Sequence, residues 1–129
     1  MRLLLDTHIL IWAVLEPQKL SPVLRDALED SNNQLLVSAA TAWEIATKWR
    51  IGRLNQAQAI VHNYPQALNG LAAIELPITG AVAHQAGLLD VEHRDPFDRL
   101  LAAQAIADGL LLASNDPAFR LFAGLELLS

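Results

Sequence analysis

The chain has 129 residues, 53% of them hydrophobic with only 5% aromatic, a formal net charge of −5 and no cysteine. This length fits one hydrophobic core and is too short for two, so a single domain spanning residues 1–129 is expected to carry every function. Lack of cysteine excludes a disulfide framework, a thiolate metal site and a cysteine nucleophile, and the acidic balance argues against an avid, nonspecific nucleic-acid binder.

Arg2 to Leu5 reads as a short buried strand with Asp6 at its C-terminal end. Asp6, Thr7 and His8 interrupt the apolar run before a signal-peptide core can form, and no stretch approaches the roughly 20 apolar residues that span a bilayer, so a cytoplasmic protein without a membrane partner is expected. A first helix runs from about His8 to Leu15 and stops near Pro17. Ser21 and Pro22 form a cap and first turn that open a second helix to about Asp30, and Asn32-Asn33 turns the chain. Leu35 to Val37 is a second buried strand. Ser38 or Thr41 then caps a helix that reaches Trp49 or Ile51, with Gly52 as its stop. Gln56 to Leu68 is read as helical, Ala73 to Leu76 as a third strand, and Thr79 as the start of another helix. Asp95-Pro96 opens a helix from Phe97 to about Ala107 that is apolar almost all round and should therefore lie against a sheet. Gly109 ends it, Leu110 to Ala113 is a fourth strand, Asn115-Asp116-Pro117 a turn, and Leu125 to Leu128 a final strand. Apolar strands alternating with helices predict an α/β fold with a mainly parallel sheet covered on both faces.

In such sheets, side chains at the C-terminal strand ends line a common crevice, and ligands bind where the strand order reverses. Asp6 and Asp116 follow strands, and Glu44 and Asp98 lie early in helices, so all four acids can face one crevice. Two unit charges about 4 Å apart repel by about 4 kcal/mol at an effective dielectric of 20, so such a cluster calls for a cation. With no cysteine and no paired-histidine motif, Mg²⁺ or Mn²⁺, as one or two ions, suits an oxygen-only ligand set and can activate water against a phosphodiester. Each acid also has a structural explanation. Thr41 and Glu44 have capping-box spacing, Asp95 is a natural N-cap with Asp98 as the third residue of its helix, and Asp116 precedes a proline in a turn. Asp6 is the hardest to explain structurally, because aspartate suits a buried strand end poorly.

The segments Leu3-Leu4-Leu5-Asp6-Thr7-His8, Val37-Ser38 through Trp43-Glu44-Ile45, His93-Arg94-Asp95-Pro96-Phe97-Asp98-Arg99-Leu100-Leu101-Ala102-Ala103-Gln104-Ala105 and Ser114-Asn115-Asp116-Pro117-Ala118-Phe119 resemble the PIN domain of VapC-type toxins. Order and spacing match along nearly the whole chain. The resemblance implies a Rossmann-like α/β/α sandwich, a divalent-metal-dependent endoribonuclease activity, and inhibition by a cognate antitoxin. Carried onto this sequence, it makes Asp6, Glu44 and Asp98 the core catalytic, metal-binding acids. Asp116 completes the set directly or through water, and Thr7 and Ser114 are supporting residues. Where many relatives have Thr-x-Asp, this chain has Ser114-Asn115-Asp116, and a serine hydroxyl can make the same hydrogen bond.

Lys48, one helical turn after Glu44, together with Arg50, Arg53 and Arg99, offers a cationic rim for an RNA backbone; Arg94 and Arg99 could instead pair with Asp90 and Asp95 on the surface. His8 could stand beside the site, while His62, His84 and His93 show no ligand spacing. Trp12, Trp43 and Trp49 read as core or interface. The apolar excess predicts a homodimer in addition to the RNA substrate and antitoxin partner. A catalytically inactive PIN-like binding module is the alternative, and the presence of all four acids counts against it. A receiver-like signalling domain fits less well, since such a domain calls for an acid pair at the first strand end and a lysine opposite, whereas Asp6 stands alone and no lysine follows Lys48.

Overall fold

The computed structural model describes residues Met1–Ser129. Five strands, β1 (Arg2–Leu5), β2 (Gln34–Ser38), β3 (Ala73–Leu76), β4 (Leu111–Ala113) and β5 (Glu126–Leu128), form one sheet in the order β3-β2-β1-β4-β5. Every neighbouring pair is parallel, with Leu4 of β1 opposite Leu36 on one side and Leu112 on the other. The chain steps outward from β1 through β2 to β3, then returns to place β4 on the free side of β1. Strand order therefore reverses between β1 and β4, which is where an open parallel sheet forms its crevice.

Side chains alternate between the two faces of a strand, and here the alternation sorts them into separate cores. Leu3, Leu5, Leu35 and Val37 point to one face, packing with Ile9, Leu10, Leu24, Ile45 and Ile60. Leu4, Leu36 and Leu112 point to the other, against Leu101, Ala102, Ala105, Phe119 and Phe122. Helices α1 (Thr7–Leu15), α2 (Pro22–Glu29), α3 (Ala39–Arg50), α4 (Gln58–His62) and α5 (Tyr64–Gly70) supply the first layer. Helix α7 (Pro96–Asp108), preceded by α6 (Gly80–Leu88), covers the second. The result is the expected α/β/α sandwich. None of these helices is long and apolar enough to cross a membrane.

Local signals account for most boundaries. Ser21 Oγ accepts the Leu24 N–H, Thr79 Oγ1 accepts that of Val82, and Asp95 Oδ1 accepts those of Phe97 and Asp98, as N-caps do. Gly109 takes a left-handed conformation (φ +63°) to stop α7, a position that suits glycine. Two readings need correction. The segment expected to be one helix over Gln56–Leu68 is a 3₁₀ turn (Asn55–Ala57) followed by α4 and α5. The break falls at Asn63 (φ −139°), because Pro65 has no N–H to continue a helix and its ring clashes with the carbonyl one turn back, so it fits only the first turn of a new helix. The second correction concerns Thr41 and Glu44. Ser38 caps α3, its Oγ accepting the Ala40 N–H at 3.0 Å, and Glu44 stands in the middle of the helix, so the two do not form a capping box.

Candidate active site

Asp6 is the first residue beyond β1 and caps α1. Its backbone N–H donates to Ala113 O of β4 at 3.0 Å, which anchors it on the strand-order reversal. Its carboxylate accepts from the Thr7 N–H (2.7 Å) through Oδ1 and from the Ser114 hydroxyl (2.8 Å) through Oδ2. Ser114 Oγ in turn accepts the Asp116 N–H at 3.0 Å, so the β4 turn is tied to the β1 acid through one hydroxyl. Asp6 is 7% exposed. Burial pushes its carboxyl above the ordinary aspartate range; the Ser114 and Thr7 hydrogen bonds and the charge of His8 oppose this, and the negative charge of Glu44 adds to it.

Glu44 enters from α3 and is 4% exposed. Its two oxygens have different partners: Oε1 accepts from the Thr7 hydroxyl and Oε2 from the Lys48 ammonium one turn later. Lys48 lies 5.8 Å from the centre of the Phe97 ring. Desolvation acts to lower its pKa, but the hydrogen bond and charge of Glu44, with Asp95 and Asp98 beyond, outweigh it and hold the ammonium above the usual lysine range. Lys48 is partly exposed and stands directly beside the acids, paired with Glu44.

Asp98 comes from the first turn of α7, where the Asp95 cap aims it. Its Oδ2 lies 2.8 Å from His93 Nε2. Burial is the main cause that pushes its carboxyl up to about 6; the His93 hydrogen bond opposes this, and the charges of Asp95, Asp6 and Glu44 reinforce it. Asp6, Glu44 and Asp98 thus share one electrostatic environment, though they arrive from β1, α3 and α7.

Asp116 is placed differently. It is exposed, caps a 3₁₀ turn (Pro117–Leu121) by accepting the Ala118 N–H at 2.9 Å, and meets Asp6 across a cavity of about 270 Å³. Its link to the other acids runs through Ser114. Arg50 and Arg53 are exposed at the far end of α3. The expectation that Arg99 contacts RNA, or pairs with Asp90 or Asp95, gives way to another role. Its guanidinium donates to the carbonyls of Ala86, Gly87, Leu89, Val91 and His93 at 2.6–3.3 Å, so its donors serve the segment between α6 and α7.

Sequence reasoning missed His93. It has no ligand spacing, and its contact with Asp98 depends on the loop that Arg99 holds. Trp43, beside Glu44, is 58% exposed and meets Phe97 edge to face at 4.8 Å, which puts it at the mouth of the site and outside the core.

The donor chemistry suits a hard divalent cation: buried and half-buried carboxylates, two of them with raised pKa values, without thiolate or paired imidazoles. As they stand, no three acids or histidines converge on a common point close enough to ligate one ion. The physical reason is visible in their partners, since Lys48 holds Glu44, His93 holds Asp98, and Ser114 with the Thr7 amide holds Asp6. The acids fit such an ion in charge and ligand type, and ligation requires them to exchange those partners.

Comparison with known proteins gives the family and the fold. The PIN domain family model matches residues 3–125. Ribonuclease VapC22 of Mycobacterium tuberculosis is 32% identical over 118 residues, covering 91% of this chain and 88% of that protein. Two solved structures share the fold. VapBC2 from Rickettsia felis bound to a DNA fragment from their promoter has a TM-score of 0.71 at 20% identity, covering 99% of this chain and 98% of that one. DNA-bound VapBC from Salmonella typhimurium has a TM-score of 0.71 at 17% identity, covering 99% and 97%.

Proposed function

The chain belongs to the PIN domain family, and from that premise we propose that it is an endoribonuclease that hydrolyses phosphodiester bonds in RNA with a divalent metal ion, acting as the toxin of a VapBC-type pair. The observation that carries this reading is that Asp6, Glu44 and Asp98, from three separate elements, come within electrostatic reach of one another near the point where strand order reverses. Likeness to a named ribonuclease over most of both chains supports the substrate class, and likeness to VapBC assemblies supports an antitoxin partner.

Asp6, Glu44 and Asp98 would hold Mg²⁺ or Mn²⁺, with Asp116 completing the set directly or through a water. A bound divalent ion neutralises these carboxylates, lowers the pKa of a water and offsets negative charge on the phosphate. The chain's own residues prepare for this. Thr7 and Ser114 orient Glu44 and Asp6, and the Asp95 cap and His93 orient Asp98. Lys48 keeps a positive charge at the site, which serves a phosphate once Glu44 releases it. Arg50 and Arg53 extend that charge along α3 towards the rest of an RNA backbone. The reading includes a homodimer, supported by exposed Val23, Ile51, Leu88 and Leu121 on a chain that is 53% hydrophobic.

The direct test is Asp6→Asn. This change preserves shape and the Thr7 N–H bond to Oδ1 while removing the charge; the Asn Nδ2 then faces Ser114 Oγ as a donor in place of the acceptor Oδ2. RNA cleavage in Mg²⁺ or Mn²⁺ is expected to fall by at least about a hundredfold with the thermal unfolding curve still cooperative. Undiminished cleavage by that variant rules out the proposed site.

A further inference from the structure

The cavity of about 270 Å³ on the α1 side of Asp6 has a lining that the acids' role does not explain: His8, Ile9 and Trp12 from α1, and Asn115 and Asp116 from the β4 turn. The His8 and Trp12 rings meet edge to face with centroids 6.2 Å apart, so they form one aromatic wall, and the buried Ile9 adds apolar surface beside them. Opposite stand an exposed amide, Asn115, and an exposed carboxylate, Asp116. Without a bound cation, phosphate is unsuited to this space, because Asp6 and Asp116 both border it. A flat ring with N–H donors on its edge is suited.

We propose that this cavity is a nucleobase subsite that prefers an unpaired guanine, the base of a nucleotide next to the bond being cut. The proposal rests on the ribonuclease reading, since it is the shared residue Asp6 that sets the cavity beside the acids. Single-stranded bases are recognised by stacking on aromatic side chains and by hydrogen bonds to their Watson–Crick edges. Guanine presents adjacent N1–H and N2–H donors, which match the two oxygens of the Asp116 carboxylate when it serves the ion through a water and not directly. The Asp116 oxygen that accepts the Ala118 N–H keeps a further lone pair, and the second oxygen is uncommitted in the turn. Asn115 can donate to guanine O6. Uracil presents a single N–H between two carbonyls, which would face the carboxylates unfavourably. Adenine and cytosine, each with one amino group, fall between.

The test uses the ¹⁵N-labelled full chain without added metal, so that binding is read apart from catalysis, with guanosine, uridine and arginine as probes. Guanosine is expected to shift the Trp12 indole N–H and the Asn115 side-chain amide, with an apparent affinity at least about tenfold tighter than uridine. Trp12→Ala is expected to weaken guanosine about tenfold. Asn115→Ala, at an exposed position that leaves the core intact, is expected to narrow the gap between guanosine and uridine. Equal binding of the two nucleosides overturns the proposal, as do shifts confined to the Arg50 end of α3 or occupation of the cavity by arginine alone. RNA cleavage separates the two readings. If guanosine moves these signals and no RNA is cut, the enzyme reading fails alone; if RNA is cut while guanosine moves neither signal, the base subsite fails alone.

Discussion

Asp6 and Asp98 illustrate what single residues contribute. Asp6 is buried and Asp98 half-buried, and both carboxyls have raised pKa values, which is a stability cost in the metal-free protein. For Asp98 the folded value is about 6, against about 3.9 for an unperturbed aspartate. The folded state therefore binds this proton more tightly, and the stability it confers is complete below about pH 4 and is lost as pH rises through about 6. Removing the charge reverses that loss. Asp98→Asn is expected to flatten the fall in melting temperature across this window and to stabilise the metal-free chain near neutral pH by about 1–3 kcal/mol. Added Mg²⁺ should stabilise the parent and not the variant; a variant that melts below the metal-free parent at neutral pH would contradict the assignment. Asp6 stood out in the sequence because aspartate suits a buried strand end poorly; the structure also makes it the N-cap of α1, a use hidden while that helix was read as starting at His8. Glu44 and Asp98 were harder to single out, since each matched a helix-capping pattern. Only the structure separates them: Ser38 takes the cap that Thr41 was offered, and Asp95 takes the cap beside Asp98. His93 and the cavity lined by Trp12 were hidden because their partners are distant in sequence or come from loops, where spacing carries no signal.

At the scale of elements, all five strands and the strong helices follow from apolar runs and punctuation, because a parallel sheet buried on both faces writes continuous hydrophobic segments into its strands. The connection between α6 and α7 is not written that way. One guanidinium, Arg99, gathers carbonyls from Ala86 to His93, and no local pattern announces such a contact. An ammonium has three donors on a flexible stem and cannot reproduce the fork. Arg99→Lys is therefore expected to destabilise the fold by about 1–2 kcal/mol, leaving part-buried carbonyls short of donors. It is also expected to raise hydrogen exchange from Leu89 to His93 above that of the sheet. A variant as stable as the parent would show that the loop is held by something else. A smaller strain lies at Ala72, which precedes β3 with φ +54°. Ala72→Gly should cost nothing or stabilise by up to about 1 kcal/mol, whereas a β-branched residue there should destabilise by more than that. Chemical denaturation of the pair checks it.

At the scale of the whole molecule, a net charge of −5 and an RNA substrate are reconciled by where the charge sits. Three of the acids share the crevice, where the proposed divalent ion would offset them, and the cations Lys48 and Arg50 on α3, with Arg53 just beyond it, lie on the same side. The fold supplies the meeting point by reversing strand order between β1 and β4, and α3 and α7 each carry one further acid to it. On the proposed reading, phosphodiester chemistry at this site requires those carboxylates to accept an ion together. The most direct measurement is the anomalous scattering of a crystal grown with Mn²⁺. The account predicts a peak bounded by the carboxylates of Asp6, Glu44 and Asp98, with Lys48 moved off Glu44 and His93 moved off Asp98. No peak there at saturating Mn²⁺, or manganese bound only elsewhere while Lys48 and His93 keep their acids, would contradict it.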